Sequence, residues 1–214
     1  MGDKVNSTCY ILGGFTQEFS LEILNRITEE DFVICADKGV ILAKQYNINP
    51  NLIIGDFDSY KGDLPFKCNV IRLPEEKDDT DLHYAAKKAV EMGFKNVVLS
   101  GVTGGRLDMT LATIGTLNFL DTKGVNAKVL DNSQQIYITH SLLTVNKPEF
   151  ESHLSVFPIG DRAEGVSIKG AKYSVSNLTL TQVFPVGVSN SFLQDSVQIS
   201  VKKGSVIILL VKKD

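Results

Sequence analysis

Leu52-Ile-Ile-Gly-Asp-Phe-Asp-Ser59 is the stretch on which the reading of the fold turns. An apolar, partly β-branched run stops at a glycine and two acids. Such a run reads as a buried strand whose C-terminal end emerges into a site. Asp56 and Asp58 are separated by one residue, so continued extended backbone would point both carboxylates to one side. Like charges so placed repel unless a cation sits between them. A hard divalent ion such as Mg²⁺ suits carboxylates that also meet phosphates. The alternative reading of the same residues is a polar turn closed by local hydrogen bonds.

Working outward, similar apolar runs occupy residues 8–12, 32–36, 70–73 and 96–100. Gly13-Gly14 follows the first and allows close approach of backbone to a ligand. Asp37-Lys38-Gly39 follows the second, again placing an acid at a strand's C-terminal end. Helical periodicity lies between these runs: from a Ser20 cap to about Ile27, from Gly39 to about Tyr46, and from Asp79 or Thr80 to Gly93. Glu75 to Asp81 carries five acids in seven positions. Acids in a first turn complement the helix dipole, but Asp81 starts an inward-facing stripe and is placed to reach the site. After the run at 96–100 comes Gly101-Val-Thr-Gly-Gly-Arg106, then a helix from about Leu107 to Leu120. Leu107, Leu111 and Ile114 mark its expected buried side. A glycine-rich turn at a helix N-terminus presents N–H groups, here those of Gly101, Thr103, Gly104 and Gly105, and phosphate is their natural guest. Arg106 adds a planar cation that Asp108 can orient. The turn is not a P-loop, because no G-x-x-x-x-G-K-[ST] pattern occurs.

Alternating strands and helices predict a doubly wound, largely parallel sheet, with ligands beyond the C-terminal strand ends. After Asp131 helical periodicity stops. Short β-like runs punctuated by Gly160, Gly165, Gly170, Gly187 and Gly204 predict an all-β sandwich or barrel. The expected domains are an α/β domain over 1–131 and a β-sandwich over 132–214. A formal net charge of −3 without a basic cluster argues against nucleic acid as a partner. No apolar run has the roughly 18 residues that a membrane helix needs. The three scattered cysteines form no C-x-x-C pair and fit a reducing cytoplasm, with Cys9 and Cys35 as small core residues.

Taken in order, A-D-K-G (36–39), L-I-I-G-D-F-D-S (52–59), K-D-D-T-D (77–81), G-V-T-G-G-R-L-D (101–108) and G-V-S-N (187–190) resemble the thiamine pyrophosphokinase family over nearly the whole chain. The resemblance implies an α/β catalytic domain, a C-terminal β-sandwich and a homodimer. It implies transfer of the pyrophosphoryl group of ATP to the hydroxyethyl oxygen of thiamine, giving thiamine diphosphate and AMP. It also implies Mg²⁺ on Asp56, Asp58 and Asp81 with Asp37 close by, and nucleotide phosphates on the 101–106 turn and Arg106, with Asp108 at the same site. Tyr173, Ser189 and Asn190 are implied thiamine contacts. Asp58 or Asp81 would accept the alcohol proton. Lys38 and Met109 depart from the family pattern, and Met109 is given no role. The rival readings are a pyrophosphokinase for another alcohol, such as a hydroxymethylpterin, and a non-catalytic thiamine or nucleotide sensor.

Overall fold

The structure, a computed structural model, describes residues 7–15, 21–57 and 66–213, with the backbone alone at residues 21 and 22. The chain divides into two compact units, Met1–Asn132 and Ser133–Asp214.

The first unit contains β1 (Thr8–Leu12), α1 (Leu21–Arg26), β2 (Phe32–Ala36), α2 (Gly39–Gln45), β3 (Leu52–Gly55), β4 (Asn69–Arg72), α3 (Asp81–Glu91), β5 (Asn96–Ser100), α4 (Leu107–Thr122) and β6 (Asn126–Asp131). The strands lie in the order β4-β3-β2-β1-β5-β6, and every described pairing among them is parallel. The central strands are apolar apart from Thr8, Asn96 and Ser100 at their ends, because both sheet faces are covered. Side chains alternate along each strand. Tyr10, Leu12, Val33, Cys35 and Ile53 pack with Ile23 of α1 and Val40, Leu42 and Ala43 of α2. Alternation sends Cys9, Ile11, Ile34 and Ile54 to the opposite face, where α3 lies against β1, β2 and β3. β6 was not foreseen as a strand, since its polar start, Asn126 to Lys128, hides the pattern.

Two elements depart from expectation. Extended backbone does not continue past β3, because Phe57 adopts φ 58°; the same-side argument for Asp56 and Asp58 therefore lacks its premise. Asp58 lies outside the described residues, as does the Ser20 cap. In α4 the expected face is wrong at its start: Leu107 is 73% and Leu111 60% exposed, whereas Thr113, Thr116, Leu117 and Leu120 are buried. The threonines can go inside because their hydroxyls are satisfied there. Thr113 donates to the Val102 and Met109 carbonyls at 3.0 and 2.9 Å, and Thr116 to Ala112 at 3.0 Å.

α3 begins as its sequence predicts. The Thr80 hydroxyl accepts from the His83 amide at 3.1 Å and caps the helix. His83 itself packs against Phe119, with its Nδ1 at 3.1 Å from Thr116 Oγ1.

The second unit is antiparallel throughout its described pairings: β7 (Gln134–Thr139), β8 (Leu142–Asn146), β9 (Ser152–Lys169), β10 (Val175–Thr181), β11 (Ser196–Ser200) and β12 (Lys203–Lys212). Gly160 and Gly165, expected to punctuate short runs, lie inside one continuous strand, β9. Its first part pairs with β12 and its last part with β10 and β11. One long strand therefore serves both layers of the sandwich. Inward residues Leu154, Val156, Val166, Ile168, Val197, Ile199, Val206 and Ile208 form its core. Among the described residues, no helix is long and apolar enough to cross a membrane.

Candidate active site

In the parallel sheet the chain steps from β1 out to β4, then returns to add β5 on the other side of β1. That reversal opens a crevice at the C-terminal ends of β1 and β5, where α/β sheets bind ligands. The two loops are stitched together there: the Gly13 amide donates to Ser100 at 2.8 Å and Phe15 to Gly101 at 2.9 Å. Close approach requires the glycines. A Cβ on Gly39 would lie 1.9 Å from the Leu12 carbonyl oxygen, and one on Gly14 would strike Lys38. The Gly13-Gly14 pair thus serves backbone packing at this edge.

Three acids from separate segments meet beside the crevice. Asp37 follows β2, Asp56 follows β3 and Asp81 opens α3. One carboxylate oxygen from each lies within 4.8 Å of the other two. A cavity of about 50 Å³ borders the cluster, lined by Gly13, Gly14, Phe15, Asp37, Asp81 and Met109 among others. Asp37 holds an uncommon left-handed backbone, φ 47°, fixed by its amide donating to Ile54 at 2.8 Å. Burial raises the Asp37 pKa, the Lys38 amide opposes that rise, and the charges of Asp81 and Asp56 reinforce it. Asp37 Oδ1 is buried without a hydrogen-bond partner.

Lys77, to which sequence reading gave no role, enters this cluster. Its Nζ lies 2.6 Å from Asp56 Oδ2 and 3.1 Å from Asp81 Oδ1. Burial would lower its pKa, but the hydrogen bonds and charges of Asp56 and Asp81 outweigh burial and raise it. The signal available in sequence was its place four residues before Asp81, inside K-D-D-T-D.

The glycine-rich turn divides into two parts. Gly101, Val102 and Thr103 are buried, and the amides expected to face phosphate are directed inward. Gly101 N donates to Asp131 Oδ1 at 2.6 Å and Thr103 N to Asp131 Oδ2 at 3.0 Å. The Thr103 hydroxyl also donates to Asp131, and Ser100 Oγ lies 3.4 Å from it. A buried carboxylate thus takes these donors, a correction to the phosphate expectation for Gly101 and Thr103. Asp131 was missed, although it is a further acid at a strand's C-terminal end. Gly104, Gly105 and Arg106 form the exposed part. Arg106 Nη2 meets Asp108 Oδ2 at 2.5 Å and Nε meets Oδ1 at 3.1 Å, so Asp108 orients the guanidinium as expected from its spacing. Arg106 holds the Asp108 carboxyl below its ordinary pKa.

In the second unit, Tyr173 and Asn190 border an apolar pocket of about 90 Å³ with Val156, Ile168, Leu180 and Gly187. Asn190 is 8% exposed, and its side chain is committed to backbone. Its Oδ1 accepts from the Tyr173 amide and its Nδ2 donates to the Tyr173 carbonyl, both at 2.9 Å. It holds Tyr173 in place. Tyr173 remains 60% exposed, with Lys172 Nζ at 5.4 Å from its ring centroid. Ser189 is exposed, has φ 58°, and donates its amide to Ser155 Oγ at 3.2 Å.

A doubly wound parallel sheet with acids at its switch point, followed along the chain by an antiparallel sandwich, defines a two-domain α/β-plus-β protein with an acidic crevice. The sequence model described as the thiamin pyrophosphokinase catalytic domain matches residues 23–129, and that of the thiamin pyrophosphokinase vitamin B1 binding domain matches residues 139–206. The chain belongs to the thiamin pyrophosphokinase family. It is 28% identical over 224 residues to thiamin pyrophosphokinase 1 of Caenorhabditis elegans, covering 98% of this chain and 90% of that one. It is 24% identical over 208 residues to the thiamine pyrophosphokinase of Bacillus subtilis, covering 94% and 97%. The crystal structure of a Bacillus subtilis thiamine pyrophosphokinase superimposes with a TM-score of 0.89 at 24% identity, covering 97% of this chain and all (100%) of that one. The yeast thiamin pyrophosphokinase structure gives 0.78 at 17%, covering 96% and 86%.

Proposed function

We propose that the protein transfers the pyrophosphoryl group of ATP to the hydroxyl of thiamine, giving thiamine diphosphate and AMP. Family membership supports the reaction, and the convergence of Asp37, Asp56 and Asp81 within 4.8 Å is the observation that carries it. The donor set is all oxygen, anionic, and includes a buried Asp37 oxygen without a hydrogen bond, so it fits a hard divalent cation. Asp56 and Asp81 would hold Mg²⁺, with Asp37 beside them and Asp58 joining on sequence pattern alone. When bound, Mg²⁺ neutralises charge on the phosphate oxygens.

The chain's own groups do the rest. Phosphoryl transfers depend on position and charge neutralisation more than on covalent chemistry. Asp131 locks the first half of the glycine turn, which fixes where Gly104, Gly105 and Arg106 stand. The Arg106 guanidinium, held flat by Asp108, offsets charge on the polyphosphate. An aspartate of the cluster takes the alcohol proton as the new P–O bond forms and the bond to AMP breaks. In the sandwich, the exposed Tyr173 face suits a cationic thiazolium.

Incubation with ATP, Mg²⁺ and thiamine should yield AMP and thiamine diphosphate in equal amounts. Turnover with a hydroxymethylpterin but not thiamine would instead support the pterin reading, and binding without AMP the sensor. Tyr173→Ala should raise KM for thiamine by about three- to thirtyfold, the range of an exposed to a desolvated cation–π contact, while KM for ATP stays unchanged. Equal KM values for thiamine in both proteins would remove Tyr173 from the site. A homodimer is part of the same proposal, and sedimentation showing a monomer at assay concentrations would contradict it.

A further inference from the structure

The Lys77 ammonium occupies a position between proposed metal ligands. It sits 2.6 Å from Asp56 Oδ2, 3.1 Å from Asp81 Oδ1 and 3.2 Å from the Pro74 carbonyl oxygen. These are the distances of a cation already using the cluster's oxygens. Lys77 also lies outside regular structure, in the segment between β4 and α3, on a flexible four-carbon stem. A divalent ion drawing on the same oxygens would stand within a few ångströms of the ammonium. Two positive charges at such range in a half-buried site repel strongly. Lys77 and a divalent ion would therefore compete for Asp56 and Asp81.

We propose that Lys77 is a resident counter-ion: it holds the carboxylates together in the metal-free protein and is displaced by the divalent cation, which frees its ammonium for the polyphosphate of the bound nucleotide. The inference rests on the metal reading above. It adds a step to that reading, an exchange of one cation for another, and makes Lys77 a positioning residue for ATP.

The sign of one measurement separates this role from a structural one. A merely structural lysine, once removed, would loosen the site and weaken metal binding. Removal of a competing cation tightens it. Mn²⁺ binding without nucleotide, followed by electron paramagnetic resonance, should be about tenfold tighter or more in Lys77→Met, as expected when a nearby unit charge is lost. The metal-free variant should melt lower than wild type, and Mn²⁺ should raise its melting temperature by more. A second measurement needs no variant. In the wild-type protein, Mn²⁺ should increase acetylation of Lys77 by an amine-reactive reagent several-fold, read by mass spectrometry, and ATP added afterwards should suppress it. Unchanged or weaker Mn²⁺ affinity in Lys77→Met, where wild type binds Mn²⁺ and Asp56→Asn does not, overturns the counter-ion role and leaves the metal reading standing. Lys77 acetylation that is unchanged by bound Mn²⁺ overturns it as well. No Mn²⁺ binding by any of these proteins overturns the metal reading and this inference with it.

Discussion

Asp56→Asn leaves the protein folded and lowers pyrophosphoryl transfer by about 10²–10³-fold or more, the loss typical when a charge-stabilising group is removed from a transition state. The fold survives because Asp56 lies beyond the end of β3 and is not among the buried core residues. Its partner Lys77 keeps Asp81 at 3.1 Å, so the substitution strands no buried cation. The activity falls because an amide oxygen carries no formal charge and binds a hard cation less well than a carboxylate. Circular dichroism melts together with AMP release across a Mg²⁺ titration check both halves of the expectation. An active variant with normal Mg²⁺ dependence would break the assignment of Asp56 to the cation.

Asp131→Asn acts on stability and on nucleotide binding together. The carboxylate accepts from Gly101 N, Thr103 N and the Thr103 hydroxyl. An amide in its place keeps one acceptor oxygen and turns an NH₂ toward a donor. An unsatisfied buried donor costs about 1–3 kcal/mol, equivalent to about 2–4 °C of melting temperature per kcal/mol for a chain of this size. The turn carrying Gly104 to Arg106 also loses its anchor, so KM for ATP rises while KM for thiamine does not. The pH dependence has a definite sign. Burial raises the Asp131 pKa above its ordinary value, against the opposing hydrogen bonds from Thr103, Gly101 and Ser100. The native state therefore holds this proton to higher pH than the unfolded chain does. The stability it contributes is fully present below the unfolded value of about 3.9 and is lost as pH rises through the native pKa. Asn has no proton to lose. The stability difference between wild type and Asp131→Asn thus narrows as pH rises, and a difference that widens would show that the carboxylate is the favoured buried form.

The carboxylate cluster was legible from sequence because each member follows a local pattern. Asp37 and Asp56 end apolar strands, Asp81 begins a capped helix, and parallel topology sends such ends to one edge. Lys77 and Asp131 escaped because their roles exist only through partners. Lys77 looked like one charge in an acidic run until Asp56, 21 residues earlier, appeared beside it. Asp131 meets Gly101 and Thr103 across 30 and 28 residues of chain. The α4 face was misread for a related reason. Leucine periodicity favours Leu107 and Leu111 as buried, yet the structure buries Thr113 and Thr116, whose hydroxyls find carbonyls one turn back.

By itself the sequence determined the alternating strand–helix order, the change to β-structure after Asp131, and the family. Those follow from period, capping and motif order, all of them short-range properties of the chain. Only the tertiary structure decided which donors of the glycine turn are used internally and which cation sits on the aspartates. It likewise decided that Asn190 serves the Tyr173 backbone. Hydrogen bonds and ion pairs between distant segments depend on where the sheet and sandwich bring those segments, and no local pattern encodes that distance.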